Sequence, residues 1–581
     1  MTSPQVWLDG WGSSTGGWRF DGYQQTLVAW HPAQVPYLLQ QAEAATEQGL
    51  YAVGFVAYEA AQALNPHLPA LPPHEKLPLA WFALYARRLP SPHHAAPAGH
   101  HHLHRLSPSL TPDEYAAAVA RLHRAIAAGE SYQVNFTFPL NGTCGAHADE
   151  LYRAMLEAQP TSFGARLEIG RHTILSASPE LFFHRSGDRI TTRPMKGTAP
   201  RGRFPAEDAA RVRDLAASPK EQAENLMIVD LLRNDLGQIA VTGSVQVERL
   251  FEQEQYPTVH QLTSTITARL LPGTRLVAIF RALFPCGSVT GAPKRRSMEL
   301  IAEAEAQPRG VYCGAIGMLA PGGEALFSVA IRTALLDQET GRLTLAVGSG
   351  ITWDARAAAE YAECLTKAAF LSAPQPPQLL ESMRLENGTY PLLALHLQRL
   401  AWSAGRLGHR LDPVAAAHLL QNHAAEAPGV RKVRLLLAPD GRLTITSAPI
   451  EPDSAPLRLA LSSIRVDPAT QALYLKTEER ERYERARREH PTADEVLLIN
   501  RRGELTEGSY HNLVLRLDNR LVTPPLTCGL LPGVMRQTLL ERGIVTEQVL
   551  YPADLKRAEA IWLINAVRGW RQGRLMDDVP S

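Results

Sequence analysis

The stretch LSAPQPPQ, Leu371 to Gln378, constrains this chain more than any other. Three prolines in eight residues remove amide donors and fix φ, so no regular element runs through it. It follows a helical pattern, AAAEYAECLTKAAFL, and precedes a new amphipathic start, LLESMRLENG. The sequence therefore predicts two folding units, residues 1–372 and 379–581, joined by a linker over 373–378. The length agrees, because a chain of 581 residues exceeds the roughly 300 at which single cores stop growing. A second stretch, Pro90 to Arg105, is rich in Pro, Ala and His without a hydrophobic period. Its six histidines have no cysteine or carboxylate beside them, so it reads as a surface loop rather than a metal site.

Charge and composition exclude several classes. A net charge of +1 without a basic block argues against nucleic acid as a partner. No apolar run approaches the roughly 18 residues of a membrane span. The opening residues, MTSPQVWLDGWGSS, lack the basic-then-apolar pattern of a secretory leader. Five scattered cysteines with no CxxC pair predict a reduced, cytoplasmic setting.

The local patterns predict an α+β protein. HTILSASPELFFHRSGDRITTRP reads as two strands around an SGD turn, and SPKEQAENLMIVDLLRNDLG as a helix with Ser218 as cap, Pro219 at its first position and Gly237 as its stop. In the second unit, LLALHLQRLAWSAGRLG reads as a helix ending at Gly408. VRKVRLLLAPDGRLTITS reads as a hairpin with an Asp-Gly turn, followed from Asp494 by a run of strands.

Two features of the first unit carry chemistry. Glu221 and Glu224 lie three apart on one predicted helix, and Glu360 and Glu363 three apart on another, so each pair shares a helix face. An isolated E-x-x-E is usually a solvated face. Here AENLMIVDLL is too apolar for a solvent-facing helix, and the glycine-rich VGSGI just before the second pair permits close backbone approach to a small ligand. Two such faces brought together make a hard-oxygen site suited to Mg²⁺. The other feature is Lys196 in TTRPMKGTAPRG, one of eight lysines in a chain with 51 arginines. The stretch reads as a strand end entering a Gly/Pro-rich loop.

Residues from about 115 to 370 resemble the chorismate-utilising enzymes: the large subunits of anthranilate synthase, aminodeoxychorismate synthase component I, and the isochorismate and salicylate synthases. The resemblance rests on GESYQVNFT, SASPELFF, TRPMKGTAPRG, AENLMIVDLLRNDLG, YPTVHQLTSTI, FPCGSVTGAPKRRSMELI, PRGVYCGAIG, SVAIRTA and GSGITWDARAAAEYAECLTKA, in that order. It implies two large β-sheets with helices packed outside. It implies Glu224 and Glu363 as direct Mg²⁺ ligands, and Glu221 and Glu360 as holders of the metal's waters. Arg332 and Tyr312 would hold the enolpyruvyl carboxylate. Gly287, Ser288 and Gly350 would line the pocket, His260 would lie near the ring, and Glu180 would be the general acid. At Lys196 the family's sequences look like alanine in the anthranilate, isochorismate and salicylate synthases, and like lysine in the aminodeoxychorismate synthases. A buried, neutral lysine amine is a nucleophile, so Lys196 is implied to direct nitrogen to C4 of chorismate rather than C2. Ser328 and Cys364 depart from the Asn and Thr common at those positions.

Residues 379–581 resemble the class IV pyridoxal-phosphate aminotransferases, a group that includes aminodeoxychorismate lyase. The resemblance rests on HLQRLAWSAGRLG, LYLKTEERERYERAR, NRRGELTEGSYHNLVLR, TPPLTCGLLPGVMRQTLLE and LINAVRGW. It implies Lys476 as the lysine bound to the cofactor and Glu507 as the partner of its pyridine nitrogen. Arg399, Val534, Met535, Asn565 and Ala566 would hold its phosphate. The family's YGDG-type loop is missing before LLESMRL.

Together the resemblances imply a bifunctional enzyme that makes 4-aminobenzoate for folate synthesis from chorismate and ammonia, with Mg²⁺ and pyridoxal 5′-phosphate as cofactors. No cysteine sits in the setting of a glutamine-hydrolysing site, so a separate glutamine amidotransferase subunit is the implied nitrogen source. A homodimer through the second unit is a further expectation. An aminotransferase in the second unit, an anthranilate synthase in the first, or a degenerate scaffold for the amidotransferase are the alternatives.

Overall fold

The computed structural model describes residues 3–12, 16–91, 106–145, 147–371, 376–451 and 455–576. Most of the histidine-rich stretch and residues 373–375 of the linker lie outside the described residues. Two units are distinguished: Met1–Ala199 with Val212–Gln375, and Pro200–Arg211 with Pro376–Ser581.

Among the described residues, the eighteen strands of the first unit form one hydrogen-bonded network. The long strand Gly17–Ala29 is its hinge. On one side it pairs with Val6–Gly10, and that ladder continues through Phe163–Ile169, His172–Ser178, Thr333–Asp337 and Arg342–Ile351 to Gln133–Thr143. On the other side it pairs with Ala80–Pro90, and that ladder runs through Tyr51–Val56, Ala315–Ala320, Glu324–Val329, Leu181–Ser186 and Arg189–Arg193 to Val259–Arg269. The two expected sheets are thus two arms sharing a strand. HTILSASPELFF and its continuation fold as three strands, not two, because Pro179 ends the first after Ser178.

The loop expected around Lys196 is corrected as well. Met195–Pro200 is a strand, paired with Val259–Arg269. Pro194 interrupts the preceding strand without preventing a new one from starting beside an open ladder.

The helix Pro219–Gly237 begins as the sequence predicts: the Ser218 hydroxyl accepts from the Glu221 amide, and proline takes the first position. Its buried face carries Asn225, Ile228, Val229, Leu232 and Leu236, spaced by threes and fours. Glu221 and Glu224 continue that stripe toward the N-terminus. Helix Ala357–Ala368 buries Cys364 and Ala368, and Glu360 stands one turn before Cys364 on the same face. In both helices the stripe that is apolar along the core turns acidic where the core gives way to a cavity.

The second unit has a three-stranded sheet, Leu379–Leu385, Arg431–Leu437 and Leu443–Pro449, beside helix Leu393–Leu407. An eight-stranded sheet follows, in which Leu457–Val466 pairs in parallel with Glu495–Asn500. Nothing in the local sequence announces that Pro200–Arg211 belongs to this unit. The packing explains it: Phe204 is 9% exposed in a core cluster with Tyr474, Leu473 and Val466. Its ring lies 5.5 Å from that of Tyr474, and Arg203 donates to the Pro468 carbonyl at 3.0 Å. Phe204→Ala is expected to lower the stability of the second unit by about 3 kcal/mol, the usual cost of emptying a buried Phe site. Thermal unfolding followed at the second unit's tryptophans checks this.

Candidate active sites

The first cavity, about 220 Å³, is lined by Glu180, Lys196, Glu221, Glu224, Ser288, Tyr312, Arg332, Gly350, Glu360 and Glu363, among others. Residues drawn from seven separate motifs therefore meet at one place.

Lys196 is fixed at its backbone. Asn225 donates to the Lys196 carbonyl at 2.9 Å, and the Ser264 hydroxyl donates to the Asn225 oxygen at 2.6 Å. Burial holds the Lys196 amine below the usual lysine range, while Glu224 and Glu363 pull the other way. Gly350 makes room for it: a Cβ there would lie 2.6 Å from the Lys196 Nζ and 2.8 Å from the Gln133 Nε2. Those distances are overlaps with the ends of two side chains, so a methyl group at this position would push the amine and the Gln133 amide aside. Gly350→Ala is expected to displace the amine and cut the kcat/KM of the first unit's reaction by roughly 100-fold, since about 1 Å of misplacement has that effect. The second unit's reaction, assayed on its own substrate, serves as the control.

Glu180 is 3% exposed, and its Oε1 has no hydrogen-bond partner among the described residues. Burial pushes its carboxyl up to about 7, against the opposing pull of the Ser288 hydroxyl and the Lys196 amine. Arg332 holds a left-handed backbone at φ 51°, a strained conformation that costs about 1–3 kcal/mol and collects at functional sites. Burial lowers its guanidinium to about 10.

The four glutamates line this cavity but do not converge. Lys367 holds Glu363 at 2.8 Å, and the Thr198 amide donates to Glu221 at 3.3 Å. Among the described residues no three His, Cys, Asp or Glu side chains are close enough to hold a metal unaided. This arrangement fits Mg²⁺, which takes one or two carboxylates and completes its shell with waters and a ligand's oxygens. Lys367 would have to release Glu363.

Two expected residues do not line the cavity. His260 is buried within its strand, where the ladder turns it into the interior. Gly287 lies against Leu231, whose side chain would stand 2.6 Å from a Cβ at that position, so its role is to admit the helix. Ser328 and Cys364 are fully buried away from the lining.

The second cavity, about 350 Å³, is lined by Arg399, Lys476, Glu507, Val534, Met535, Asn565 and Ala566 with others. Every residue expected there is present. Burial lowers the Lys476 amine to about 8, helped by Arg399. Burial raises Glu507 to about 7, although the Tyr483 hydroxyl donates to it at 2.7 Å and the Leu531 amide at 3.2 Å. Gly533 precedes the helix Val534–Glu541, and a Cβ there would lie 1.8 Å from the Asn512 Oδ1. Arg399 donates from Nε and one terminal nitrogen to Glu381, at 2.8 and 2.6 Å, and from the other to the Pro532 carbonyl at 2.9 Å. Five N–H groups less these three leave two for a phosphate. A buried amine, a buried carboxyl, a helix N-terminus and a braced arginine fit pyridoxal phosphate.

Sequence reasoning missed Asn225, Gln133, Glu381 and Tyr483. Their partners lie far off in the chain or on another element, and no local pattern marks them.

These features define a two-unit protein with a candidate ligand cavity in each unit: a carboxylate-and-lysine cavity on a large antiparallel sheet, and a cavity lined by a half-buried lysine and a buried glutamate. Residues 9–373 match the model of the chorismate binding enzymes, and residues 378–575 that of amino-transferase class IV. The chain belongs to the chorismate binding enzyme family. The first family works with Mg²⁺ and the second with pyridoxal 5′-phosphate. Among curated proteins it is 46% identical to the aminodeoxychorismate synthase of Streptomyces griseus over 259 residues, 44% of this chain and 35% of that one. It is 43% identical to aminodeoxychorismate synthase component 1 of Klebsiella aerogenes over 260 residues, 45% of this chain and 57% of that one. The matches thus span about a third and somewhat over half of those relatives' lengths. Among solved structures, anthranilate synthase component I from Streptococcus pneumoniae is 27% identical with a TM-score of 0.51, covering 58% of this chain and 85% of that one.

Proposed function

We propose that the first unit converts chorismate and ammonia to 4-amino-4-deoxychorismate, and that the second removes pyruvate from that product to leave 4-aminobenzoate. The observation that carries this reading is the Lys196 amine, sunk among carboxylates against Gly350, in the same cavity as Glu180.

In the first step the neutral Lys196 amine bonds to C2 of chorismate. Both ring double bonds shift, C1=C2 to C1=C6 and C5=C6 to C4=C5, and the C4 hydroxyl leaves as water with the proton of Glu180. Ammonia then bonds to C4 and the reverse shift expels the amine, with the surplus proton returning to Glu180. Arg332 and Tyr312 orient the enolpyruvyl carboxylate. Glu224 and Glu363, with Glu221 and Glu360 behind them through water, would hold the Mg²⁺ that neutralises the ring carboxylate. In the second unit Lys476 takes the proton from C4, the electron pair left behind forms the C3=C4 bond that completes the aromatic ring as the C3–O bond breaks, and Lys476 returns the proton to the departing enolpyruvate, which becomes pyruvate. When bound, pyridoxal phosphate would supply an electron sink, and Glu507 would be the residue that keeps its pyridine nitrogen protonated.

Ammonia comes from a separate glutamine amidotransferase, a partner in keeping with the name component 1 carried by relatives. Cys286 and Cys313 are buried, and burial pushes both thiols up to about 12, which removes the thiolate that glutamine hydrolysis needs. No helix among the described residues is long and apolar enough to cross a membrane. Five free, buried cysteines suit a reducing, cytoplasmic compartment, and association of two chains through the second unit completes the reading.

The proposal sets the pH dependence of the first step. Glu180 carries its proton below about pH 7, so the rate falls as pH rises above that point. Lys196 must be neutral, so the rate falls again as pH drops through its lowered value. A bell-shaped profile is expected, its limbs reporting the coupled pair. Glu180→Gln should lower the maximum and remove the alkaline limb; an alkaline limb unchanged in that variant would rule out Glu180 as the acid.

The direct test is product identity. The full chain is mixed with chorismate, ammonium, Mg²⁺ and pyridoxal phosphate, without glutamine or any keto acid. 4-Aminobenzoate plus pyruvate supports both steps. 4-Amino-4-deoxychorismate alone makes the second unit an aminotransferase or an inert domain, and anthranilate overturns the reading of Lys196.

A further inference from the structure

The second cavity holds more positive charge than its cofactor uses. Its lining includes Arg399, Lys432, Lys476, Arg480 and Arg568, against one carboxylate, Glu507. Arg399 is answered by Glu381, and Lys476 is committed to the cofactor. Lys432, Arg480 and Arg568 remain. Arg480 donates to the Ser509 carbonyl and stacks 4.4 Å over the Tyr510 ring. Arg568 donates to the Glu451 carbonyl at 2.9 Å. Both acceptors are neutral, and among the described residues no carboxylate forms an ion pair with any of the three.

Their placement is that of a rim. Lys432 stands on the central strand of the three-stranded sheet, opposite Ala448 in the next strand, which also lines the cavity. Arg568 lies between the strands Ala560–Asn565 and Gly569–Leu575. Lys432 and Arg568 are exposed, whereas Glu507 at the floor is buried. Partial burial lowers the Lys432 amine, and Arg434, Arg568 and Arg480 lower it further. Like charges crowded on a partly desolvated wall repel one another, and an anion bound there relieves each of them at once. A ligand with two carboxylates gains twice over one with a single carboxylate.

We propose that Lys432, Arg480 and Arg568 form an acceptor for two carboxylates at the rim of the second cavity, selecting a cyclic dicarboxylic amine over α-amino acids that carry one carboxylate. This rests on the reading of the second unit as acting on the first unit's product. That product keeps both carboxylates of chorismate, one on the ring and one on the enolpyruvyl ether.

The test uses the full chain loaded with pyridoxal phosphate, in ammonium-free buffer with a chelator so that the first unit is silent. Pyruvate release from 4-amino-4-deoxychorismate is measured for the parent, Lys432→Met and Arg568→Gln. Chorismate serves as the dianionic probe, since it has the same carboxylates and a hydroxyl in place of the amine. 4-Aminobenzoate is the monoanionic probe. Each variant is expected to raise KM roughly 10- to 100-fold, as for loss of a charge-assisted contact, with kcat within about threefold and the cofactor's absorbance spectrum and affinity unchanged. The inhibition constant of chorismate should rise in parallel and that of 4-aminobenzoate much less. Unchanged KM and unchanged chorismate inhibition in both variants overturn the proposal, as does equal weakening of both probes. Should the parent release no pyruvate, the lyase reading fails separately. Perturbation of the cofactor spectrum by chorismate, present in the parent and lost in the variants, then still decides whether the acceptor exists.

Discussion

Lys196→Ala is expected to abolish formation of 4-amino-4-deoxychorismate, a loss of roughly 1,000-fold or more, as when a covalent nucleophile is removed. The expectation rests on geometry specific to this side chain. The amine is held against Gly350, its backbone carbonyl is tied to Asn225, and burial keeps it nearer neutrality than a surface lysine. No other lysine of the first cavity takes its place against Gly350: Lys367 donates to the Gly348 carbonyl, and Lys220 lies 3.9 Å from Glu224. With alanine present, C2 of the substrate is uncovered, so ammonia adds there and a small anthranilate-type product replaces the normal one. The measurement is chromatographic separation of products from chorismate, ammonium and Mg²⁺. The variant should still process 4-amino-4-deoxychorismate supplied from outside, which separates a chemical loss from misfolding. Parental turnover in the variant would end the nucleophile assignment.

Lys476→Ala is expected to give the complementary result. The first reaction proceeds at the parental rate, 4-amino-4-deoxychorismate accumulates, and 4-aminobenzoate falls by roughly 1,000-fold or more. Two proposed roles would vanish with this amine, the covalent hold on the cofactor and the proton transfer at C4. Its lowered value of about 8 leaves an appreciable neutral fraction near pH 7–8, as both roles need. Glu507, Arg399 and the amides before Val534 are untouched, so the variant should still bind pyridoxal phosphate, more weakly and with the absorbance of the free aldehyde. Formation of 4-aminobenzoate at the parental rate would remove the lyase assignment.

Much of the candidate chemistry is legible in the sequence because it is local. Ser218 and Pro219 start their helix by rules that act within one turn, so the spacing of Glu221 and Glu224 already places them on one face. The Asp-Gly turn sets the hairpin Arg431–Leu437 with Leu443–Pro449 in the same way. The loop predicted around Lys196 fails for the opposite reason. Met195–Pro200 is extended because Val259–Arg269 offers it a ladder, and that partner is some sixty residues further along the chain. His260 and Gly287 show the same limit: a motif places them near a site, but the register of a strand and the side chain of Leu231 decide what they face.

The sequence by itself determined which groups are available: four glutamates in two helical pairs, a lysine in each unit, glycines at Gly350 and Gly533, and a break at Leu371–Gln378. Helix faces, caps and turns follow from contacts a few residues long, so these were fixed before any tertiary contact formed. Only the tertiary structure decided that Lys196 meets Gly350, that Asn225 pins it, that Glu381 braces Arg399, that Phe204 belongs to the second unit, and that Lys432, Arg480 and Arg568 share one cavity wall. Each of these joins residues distant in sequence. Their proximity, and the burial that moves the charges of Glu180, Lys196, Lys476 and Glu507, exist only once both sheets have closed over their cavities.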